Sequence, residues 1–383
     1  MISKALPLVA LSEIVTPVER PEVPIPGKVY RQIGVRLWGQ GAYERESIDG
    51  SQTQYKTLSR TEKNDIIVNK IWARNGSVTV IPPDLADCYV SNEFPSFIPI
   101  PNKLEPRWFY WFTKTKLCWQ QCDEKSQGTS GKNRIRPEKF LEIEIPLPPI
   151  EEQRWIVARL EELAGKIEEA RSLRLNALEE NKALVTSLHM SLAGSRIVRL
   201  DEILALDERQ EKVLVGKKYP QVGVKGFGGG LFAKEAIDAT QTTYKAFNCL
   251  YDGAVVLSQV KGWEGAISVC SSELAGRYVS PEYRTFSCVL GQAISEYLAA
   301  LVATPWFWTQ LKHLTRGMGG RRERTRPEQF LQMEIPMPTI NQQKKAIPIF
   351  QKVDAMKPLR EGTLKELDAM LPSILDKAFK GEM

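Results

Sequence analysis

"RIRPEKFLEIEIPLPPIEEQ", at residues 134–153, is repeated as "RTRPEQFLQMEIPMPTINQQ" at residues 324–343. Proline favours an extended chain before it and is tolerated in the first turn of a helix. The prolines of "IPLPPI" and "IPMPTI" are each followed by about 40 residues with an apolar periodicity typical of a helix. Each copy therefore predicts a change from strand to long helix, and the repetition predicts that this happens twice.

Other segments repeat at nearly the same spacing. The residues of 30–56 match those of 219–245 at an offset of 189, with 13 of 27 positions identical. "DIIVNKIWARNGSVTV" (65–80) matches "AVVLSQVKGWEGAISV" (254–269) at the same offset. The chain is thus two copies, about 1–194 and 195–383. A duplicated unit of this size predicts a pseudo-dimer with an internal twofold, since a solenoid would use periods of about 20–50 residues.

Each copy has a globular part and a helical part. The globular part mixes Val/Ile-rich runs with turn signals and predicts an α/β (α+β) domain, with hairpins through Asn75-Gly76 and Glu264-Gly265. Single amphipathic helices are predicted over 106–121 and 294–314. The predicted division is a globular domain at 1–149, a helix at 150–194, a second globular domain at 195–338 and a second helix at 339–383.

The first long helix carries an apolar seam with the 4-3-4-3 spacing of a coiled coil. A helix of about 40 residues is about 60 Å long and cannot bury such a stripe alone, so its predicted partner is its own duplicate. The duplicate is expected to kink or break at Pro348, Pro358, Gly362 and Pro372. The seam residues are Ile156, Leu160, Leu163, Ile167 and Ala170, widened by Leu173, Leu175, Leu178, Leu184 and Leu188, with Leu367 and Ile374 in the second helix.

The composition favours a binding protein over a catalyst. The net charge is only +6, and the six cysteines and two histidines show neither a CxxC pair nor the spacing of a zinc site. We find no Walker A, GxGxxG or Asp/Asn-Pro-Pro-Tyr motif. "KGFGGG" (225–230) is interpreted as a turn, because its counterpart keeps only Gly39 and Gly41. We therefore predict no catalytic residue and no metal site, and, from the lack of a signal peptide or a long apolar run, a cytoplasmic protein.

The sequence resembles the specificity subunits of type I restriction–modification systems. The resemblance is carried by "IEIPLPPIEEQRWIVARLEEL" (143–163), its echo "MEIPMPTINQQ" (333–343) and "LPSILDKAFKGEM" (371–383). It covers the whole chain in the family's order of recognition domain, helix, recognition domain and helix. The second copy departs from the motif, with Thr339 where the first has Pro149 and Asn341 where it has Glu151.

The resemblance implies a chain without chemistry of its own. Each recognition domain would read one half of a split sequence in double-stranded DNA. The two helices would form an antiparallel spacer that docks two adenine methyltransferase subunits, and restriction/translocase subunits can join them. S-adenosylmethionine, ATP and Mg would be bound by those partners, so no cofactor is expected in this chain.

Three surfaces are candidates for DNA contact, because cations neutralise phosphates and arginine also grips guanine. The glycine- and arginine-rich segments before the two proline motifs hold Lys132, Arg134 and Arg136 in one copy and Arg316, Arg321, Arg322, Arg324 and Arg326 in the other. A second surface is the loop with Arg36, Trp38 and Gln40, matched by Lys225 and Phe227. A third is the hairpin flank with Lys70 and Arg74, matched by Gln259 and Lys261. The tryptophans at 108, 111 and 119 are predicted to be core residues.

Two other classes of function remain open from the sequence. A stand-alone DNA-modifying enzyme would methylate or cleave DNA without partners. A structural adaptor would bind proteins through its helices and would not bind DNA. Since the reading loops differ between the copies, the main hypothesis predicts a bipartite target that is not a palindrome.

Overall fold

The computed structural model describes residues 6–126, 133–314 and 324–383, apart from the side chains of residues 314, 357, 358, 360 and 361. The chain divides into two compact units. The first comprises Met1–Arg171 with Leu364–Met383, and the second comprises Ser172–Thr363. Each unit contains one globular copy and a part of both long helices. The finer division into two globular domains and two spacer helices stays a prediction from the repeat.

The first unit combines short strands with helices. Its strands are β1 (Leu8–Ala10), β2 (Val15–Val18), β3 (Pro21–Glu22), β4 (Val29–Tyr30), β5 (Ile33–Val35), β6 (Ala42–Glu44), β7 (Ile48–Asp49), β8 (Leu58–Arg60), β9 (Ile66–Val68), β10 (Val78–Val80), β11 (Tyr89–Val90), β12 (Ser96–Pro99) and β13 (Glu144–Pro146). Its helices are α1 (Pro106–Phe112), α2 (Lys116–Glu124), α3 (Pro137–Phe140) and the start of α4 (Ile150–Ala193).

The main sheet of the first unit has the strand order β10-β9-β12-β2. The predicted hairpin is confirmed, since β9 and β10 pair antiparallel with Val78 opposite Val68. Its connection is longer than a tight turn, because it contains a 3-10 helix at Ala73–Asn75 before Gly76 reverses the chain at a φ of 73°. Trp108 and Phe112 of α1 are fully buried in the core on this sheet.

The second unit repeats this construction. Its strands are β14 (Ile197–Arg199), β15 (Leu204–Leu206), β16 (Gln210–Lys212), β17 (Tyr219–Val224), β18 (Leu231–Ile237), β19 (Ala246–Cys249), β20 (Val255–Ser258), β21 (Ile267–Val269), β22 (Tyr278–Val279), β23 (Tyr283–Cys288) and β24 (Glu334–Pro336). Its helices are the end of α4, α5 (Leu200–Ile203), α6 (Ser295–Val302), α7 (Pro305–Leu314), α8 (Pro327–Leu331) and the start of α9 (Ile340–Lys380). Its two larger sheets have the orders β15-β23-β20-β21 and β16-β19-β22-β17-β18, and β14 pairs with β24. The predicted mixed fold of strands and helices is confirmed in both units.

The two single amphipathic helices that the sequence predicted are each split into two. α1 ends at Phe112, and the Thr115 hydroxyl accepts a hydrogen bond from the Cys118 amide to begin α2. In the second unit Thr304 caps α7 in the same way, through the amide of Phe307. The prediction was wrong because apolar periodicity continues across the break, whereas a threonine cap ends one helix and begins the next.

The change from strand to helix at the proline motif is confirmed. β13 pairs with β1, and Pro146 lies opposite Leu8, so the first and last strands of the globular part meet. α4 begins four residues after β13 ends. The buried Gln153 side chain fixes this start, because its amide nitrogen donates to the Lys103 and Pro148 carbonyls and its oxygen accepts from the Glu105 amide.

Gln343 repeats this arrangement in the second unit. Its amide nitrogen donates to the carbonyls of Gln292 and Pro338, and its oxygen accepts from the Ile294 amide. The glutamine that ends both repeated stretches therefore connects each long helix to a loop of its globular part. In the first unit this loop precedes α1, and in the second it precedes α6. This contact explains why the motif keeps glutamine when the preceding acidic residues change.

The long helices share a core with each globular part. In the first unit, Ile156 and Leu160 of α4 lie in the same core as Leu375 and Phe379 of α9, and Arg171 lies 3.4 Å from Asp368. The start of α4 thus lies beside the end of α9, so the two helices are antiparallel in this unit. The predicted seam is buried at Ile156 and Leu160 and half-buried at Leu163, Ile167, Ala170, Leu367 and Ile374.

Two expectations about these helices are wrong. α9 is continuous from Ile340 to Lys380 despite its prolines and Gly362. Pro348 and Pro372 are exposed, so water can solvate the carbonyls that they leave without a donor. Leu173, Leu175 and Leu184 do not widen the seam, because 62%, 46% and 51% of their surfaces are exposed.

Candidate nucleic-acid interface

A hairpin loop between β5 and β6 carries the candidates Arg36 and Gln40. The amide of Gln40 donates to the Leu37 carbonyl, and Trp38 and Gly39 both have a positive φ, of 57° and 65°. Arg36 lies over the ring of Tyr43, 5.1 Å from its centroid. Arg36, Trp38 and Gln40 are all exposed.

This loop is bound to the loop that follows β9. The amide of Trp38 donates to the Asn75 carbonyl at 2.6 Å, and the amide of Gly39 donates to Gly76 at 3.0 Å. A Cβ at Gly76 would lie 2.6 Å from the indole nitrogen of Trp119, so the approach requires glycine. The candidate Arg74 lies in the same turn as Asn75, and the second and third predicted surfaces are therefore neighbours.

The segment around Arg134 joins the same group. The Ile135 amide donates to the Lys70 carbonyl at 2.9 Å, and the Lys70 amine donates to the Asn92 carbonyl at 2.7 Å. A guanidinium nitrogen of Arg134 lies 3.3 Å from the carboxylate of Glu93. The described parts of the three surfaces that the sequence proposed separately thus lie side by side in the first unit, and we call them together the loop cluster.

The second unit has an equivalent loop cluster. The amide of Phe227 donates to the Glu264 carbonyl, and the amide of Thr325 donates to the Gln259 carbonyl, both at 2.8 Å. Arg324 lies 3.2 Å from Glu282, in the position of Arg134 and Glu93. Each contact recurs 189 or 190 residues along the chain, so the loop cluster belongs to the duplicated fold.

The cations of the two clusters differ in how they are paired. Arg134 and Arg324 face glutamates, and Lys261 lies 3.6 Å from Glu264. Arg136 and Arg326 are exposed at the starts of α3 and α8 and form no ion pair with any residue that the structure describes. The remaining candidates Lys132, Arg316, Arg321 and Arg322 lie outside the described residues.

Sequence reasoning missed the two glutamates of the clusters. Glu93 and Glu282 are only partly exposed, and the carboxylate oxygen of Glu93 that does not face Arg134 is buried without a hydrogen bond from the described residues. The signal was present, because "YVSNEF" and "YVSPEY" repeat the glutamate at the offset of 189. The predicted core tryptophans are confirmed for Trp108 and Trp111, which are 0% and 5% exposed.

Among the histidines and cysteines, His189 and Cys270 are buried and Cys288 is half-buried, whereas His313 is exposed. His189 is 0% exposed, its Nδ1 lies 2.6 Å from the Tyr297 hydroxyl, and burial lowers its pKa to about 4. Burial also raises the pKa of Cys270 and of Cys288, each to about 11, so both thiols are protonated near neutral pH. Among residues 6–126, 133–314 and 324–383, no cluster of three potential metal ligands and no helix able to cross a membrane occurs.

Comparisons with known proteins identify chains that are similar to this one. The family model for the type I restriction modification DNA specificity domain matches residues 27–179, which include the first loop cluster. A search of curated proteins gave no match. The HsdS subunit from Thermoanaerobacter tengcongensis is similar in structure, with a TM-score of 0.57 and 20% identity over 99% of this chain and 97% of that one.

A second solved structure, on complex assembly and conformational transition of the type I R-M system, contains a similar chain. The TM-score is 0.69, with 20% identity over 99% of this chain and 98% of that one. At this identity the two structural likenesses establish the fold, and the family model shows that residues 27–179 are similar to a DNA specificity domain. The predicted resemblance to type I specificity subunits is confirmed.

Proposed function

We propose that this chain is the DNA sequence-specificity subunit of a type I restriction–modification complex and reads a bipartite target. The observation that carries the proposal is the loop cluster, which is built by the same backbone contacts in both units. A fold that repeats an exposed cationic surface at equivalent positions is suited to hold two similar segments of one DNA duplex. The matched DNA specificity domain supports DNA as the ligand of the first surface.

The two half-sites would differ because the clusters differ in side chains while sharing a frame. Trp38 is replaced by Phe227, Lys70 by Gln259 and Trp72 by Lys261 at equivalent positions. Lysine and glutamine offer different hydrogen-bonding groups to base edges, since glutamine can both donate and accept. We therefore propose a target with two unlike blocks around a run of unread bases.

Within each cluster, the arginines that form no ion pair with a described residue are the strongest candidates for phosphate contact. Arg136 and Arg326 are exposed at the same position of each unit. Arg36 and Lys225 would flank them from the hairpin loops. Phosphate contacts fix the position of a protein on DNA, and the neighbouring polar side chains read the bases.

The partners follow from the same proposal. Two methyltransferase subunits would dock on the long helices, and restriction/translocase subunits would join them. S-adenosylmethionine, ATP and Mg would be bound by those subunits, and this chain would be non-catalytic. The compartment would be the one that holds the DNA, in line with the cytoplasmic location expected from the sequence.

Methylation mapping tests the proposal. The chain is co-expressed with the methyltransferase subunit of its system, and methylated adenines are located by sequencing the host DNA. We expect one bipartite motif that disappears when this chain is omitted. Methyl transfer from S-adenosylmethionine by the purified chain alone, or methylation with the same motif in its absence, would show that the proposal is wrong.

A further inference from the structure

The hairpin loop of each cluster places a large aromatic residue where its backbone is strained. Trp38 and Gly39 are consecutive left-handed residues closed by a hydrogen bond from Gln40 to Leu37, the pattern of a type I′ turn. Phe227 and Gly228 repeat it, with φ of 54° and 70°. The first central position of such a turn favours Asn, Asp or Gly, because a bulky side chain is disfavoured at positive φ.

The core of the domain does not require these aromatic rings. Trp38 is 50% exposed and Phe227 is 67% exposed, and neither lies in the buried core of its unit. Each ring packs against a tryptophan in an edge-to-face arrangement. The centroid distances are 5.3 Å from Trp38 to Trp119 and 6.0 Å from Phe227 to Trp308. The inner edge of each ring is therefore supported while much of the ring faces solvent.

The supporting structure holds the loop firmly in both units. The indole nitrogens of Trp119 and Trp308 donate to the carbonyls of Thr113 and Val302, at 2.8 and 2.7 Å. A Cβ at Gly39 would lie 2.7 Å from the Thr113 carbonyl oxygen, so the loop is pressed against the turn between α1 and α2. A fixed backbone gives an exposed ring one position, which reduces the entropy lost when it binds.

The hairpin loop that carries each exposed ring also carries a cation, Arg36 in the loop of Trp38 and Lys225 in the loop of Phe227. Arg36 lies 5.1 Å from the centroid of Tyr43, and Lys225 lies 5.4 Å from the centroid of Phe232. The rings of Tyr43 and Phe232 in turn cover Gly34 and Gly223, where an added Cβ would come within 2.8 and 2.5 Å of the ring. An exposed aromatic ring with a positive charge in the same short loop matches a nucleic acid, which offers base faces beside phosphates.

We propose that Trp38 and Phe227 are the aromatic wedges of the two half-sites, each pressing its ring against a base step and partly unstacking it. This inference rests on the proposed function, because it assigns a role within the DNA interface. The strain and exposure recur at the same offset although the residue changes from Trp to Phe. The retained property is thus an aromatic ring at the tip, and the change of ring would contribute to the difference between the half-sites.

Asparagine substitutions test this role without weakening the turn. Trp38→Asn and Phe227→Asn install the residue that the turn geometry favours, so the melting temperature is expected to stay the same or rise. The probe is a labelled duplex that carries the target recovered from a randomised pool by selection on the wild-type full chain. Each variant is expected to bind it about 5- to 100-fold more weakly, since stacking on one base contributes about that factor.

A fluorescent base analogue locates the contact. 2-Aminopurine, whose emission rises when it is unstacked, is placed in turn at each position of the duplex. Wild-type protein is expected to raise the emission at one step in each half-site, and Trp38→Asn should abolish the rise in one half only. Trp155→Gln is the control, because Trp155 is 59% exposed on α4 and should leave both signals unchanged.

The outcomes separate the two proposals. Failure of the wild-type chain, alone and in complex with its methyltransferase, to bind any duplex would refute the proposed function. Wild-type binding that Trp38→Asn and Phe227→Asn leave unaltered, in affinity and in emission, would refute the wedge alone. A lower melting temperature in the asparagine variants would also refute it, since the rings would then serve folding.

Discussion

Arg134 and Glu93 form an ion pair within the first loop cluster, with 3.3 Å between guanidinium nitrogen and carboxylate oxygen. Arg324 and Glu282 repeat it in the second unit at 3.2 Å. The two arginines remain more than half exposed, with 53% and 55% of their side chains accessible. A DNA phosphate approaching either arginine must therefore compete with a carboxylate that is already present.

Removing that carboxylate should strengthen binding to any DNA sequence. Glu93→Gln frees Arg134 and is expected to raise the affinity for a non-specific duplex about two- to fivefold, the range of an exposed ion pair. If Arg134 then gains a phosphate, the slope of log affinity against log salt should steepen by about 0.9. Fluorescence anisotropy titrations at several salt concentrations measure both quantities.

A matched control separates this local effect from net charge. Glu161→Gln changes the charge equally and removes the Arg107 ion pair of 2.6 Å, which lies outside the loop cluster. It should leave DNA affinity unchanged. Adding Arg134→Ala to Glu93→Gln should cancel the gain, and a gain that survives would mean that another group contacts the phosphate.

The glutamine at the start of each long helix should be important for stability. Gln153→Met keeps the length of the side chain but leaves the carbonyls of Lys103 and Pro148 and the amide of Glu105 without this partner. We expect a loss of about 1–3 kcal/mol in the free energy of unfolding. Urea denaturation measures it, and Glu152→Met, on an exposed neighbour, should change the stability by less than about 0.5 kcal/mol.

The roles of these glutamines show where prediction from the sequence ends. Pro146 and Pro336 act locally, so the change from strand to helix could be predicted from each motif alone. Gln153 acts through the carbonyl of Lys103, 50 residues earlier, and a single sequence does not show such contacts. The ion pair of Arg134 with Glu93 is likewise non-local, although the internal repeat marked both partners. The exposed Leu173 shows that periodicity alone does not identify which apolar residues are covered.

The seam should tolerate truncation at one leucine and not at another. Leu160 of α4 is fully buried in the core of the first unit, whereas Leu173 of the same helix is 62% exposed. Leu160→Ala is expected to lower the free energy of unfolding by about 2–5 kcal/mol. Leu173→Ala should change it by less than about 0.5 kcal/mol. Similar losses for both, measured by thermal or urea denaturation, would mean that the seam is misplaced.

Acid should weaken the second unit through His189. Burial lowers the pKa of this imidazole to about 4, from about 6.5 in the unfolded chain, so the unfolded state binds more protons between these values. The contribution of His189 to stability is therefore complete above about pH 6.5, falls as the pH drops towards 4 and levels off below it. In His189→Gln, the part of the decline in urea stability that belongs to this residue should disappear. An unchanged pH profile would show that His189 is not its source.

The last prediction concerns the spacing of the target. Half-sites read from one face of DNA lie about one helical turn apart, about 10–10.5 bp. If each cluster reads about 3–5 bp, an unread gap of about 5–8 bp remains between the blocks. The long helices would set this gap, and the division between the units falls within both helices, at Arg171 and Thr363.

Inserting one helical turn after Arg171 and one after Thr363 should therefore lengthen the gap and leave both blocks unchanged. The insertion in α4 lies beside the exposed Leu173. Between Leu160 and Val185, α4 contributes no buried residue, so the insertion does not divide a packed core. Because the two helices are lengthened together, an antiparallel pair can keep its register at both ends. The measurement is a map of methylated adenines in cells that carry the doubly extended chain with its methyltransferase. Blocks that change while the gap stays fixed, or a single continuous motif, would show that the helices do not set the spacing.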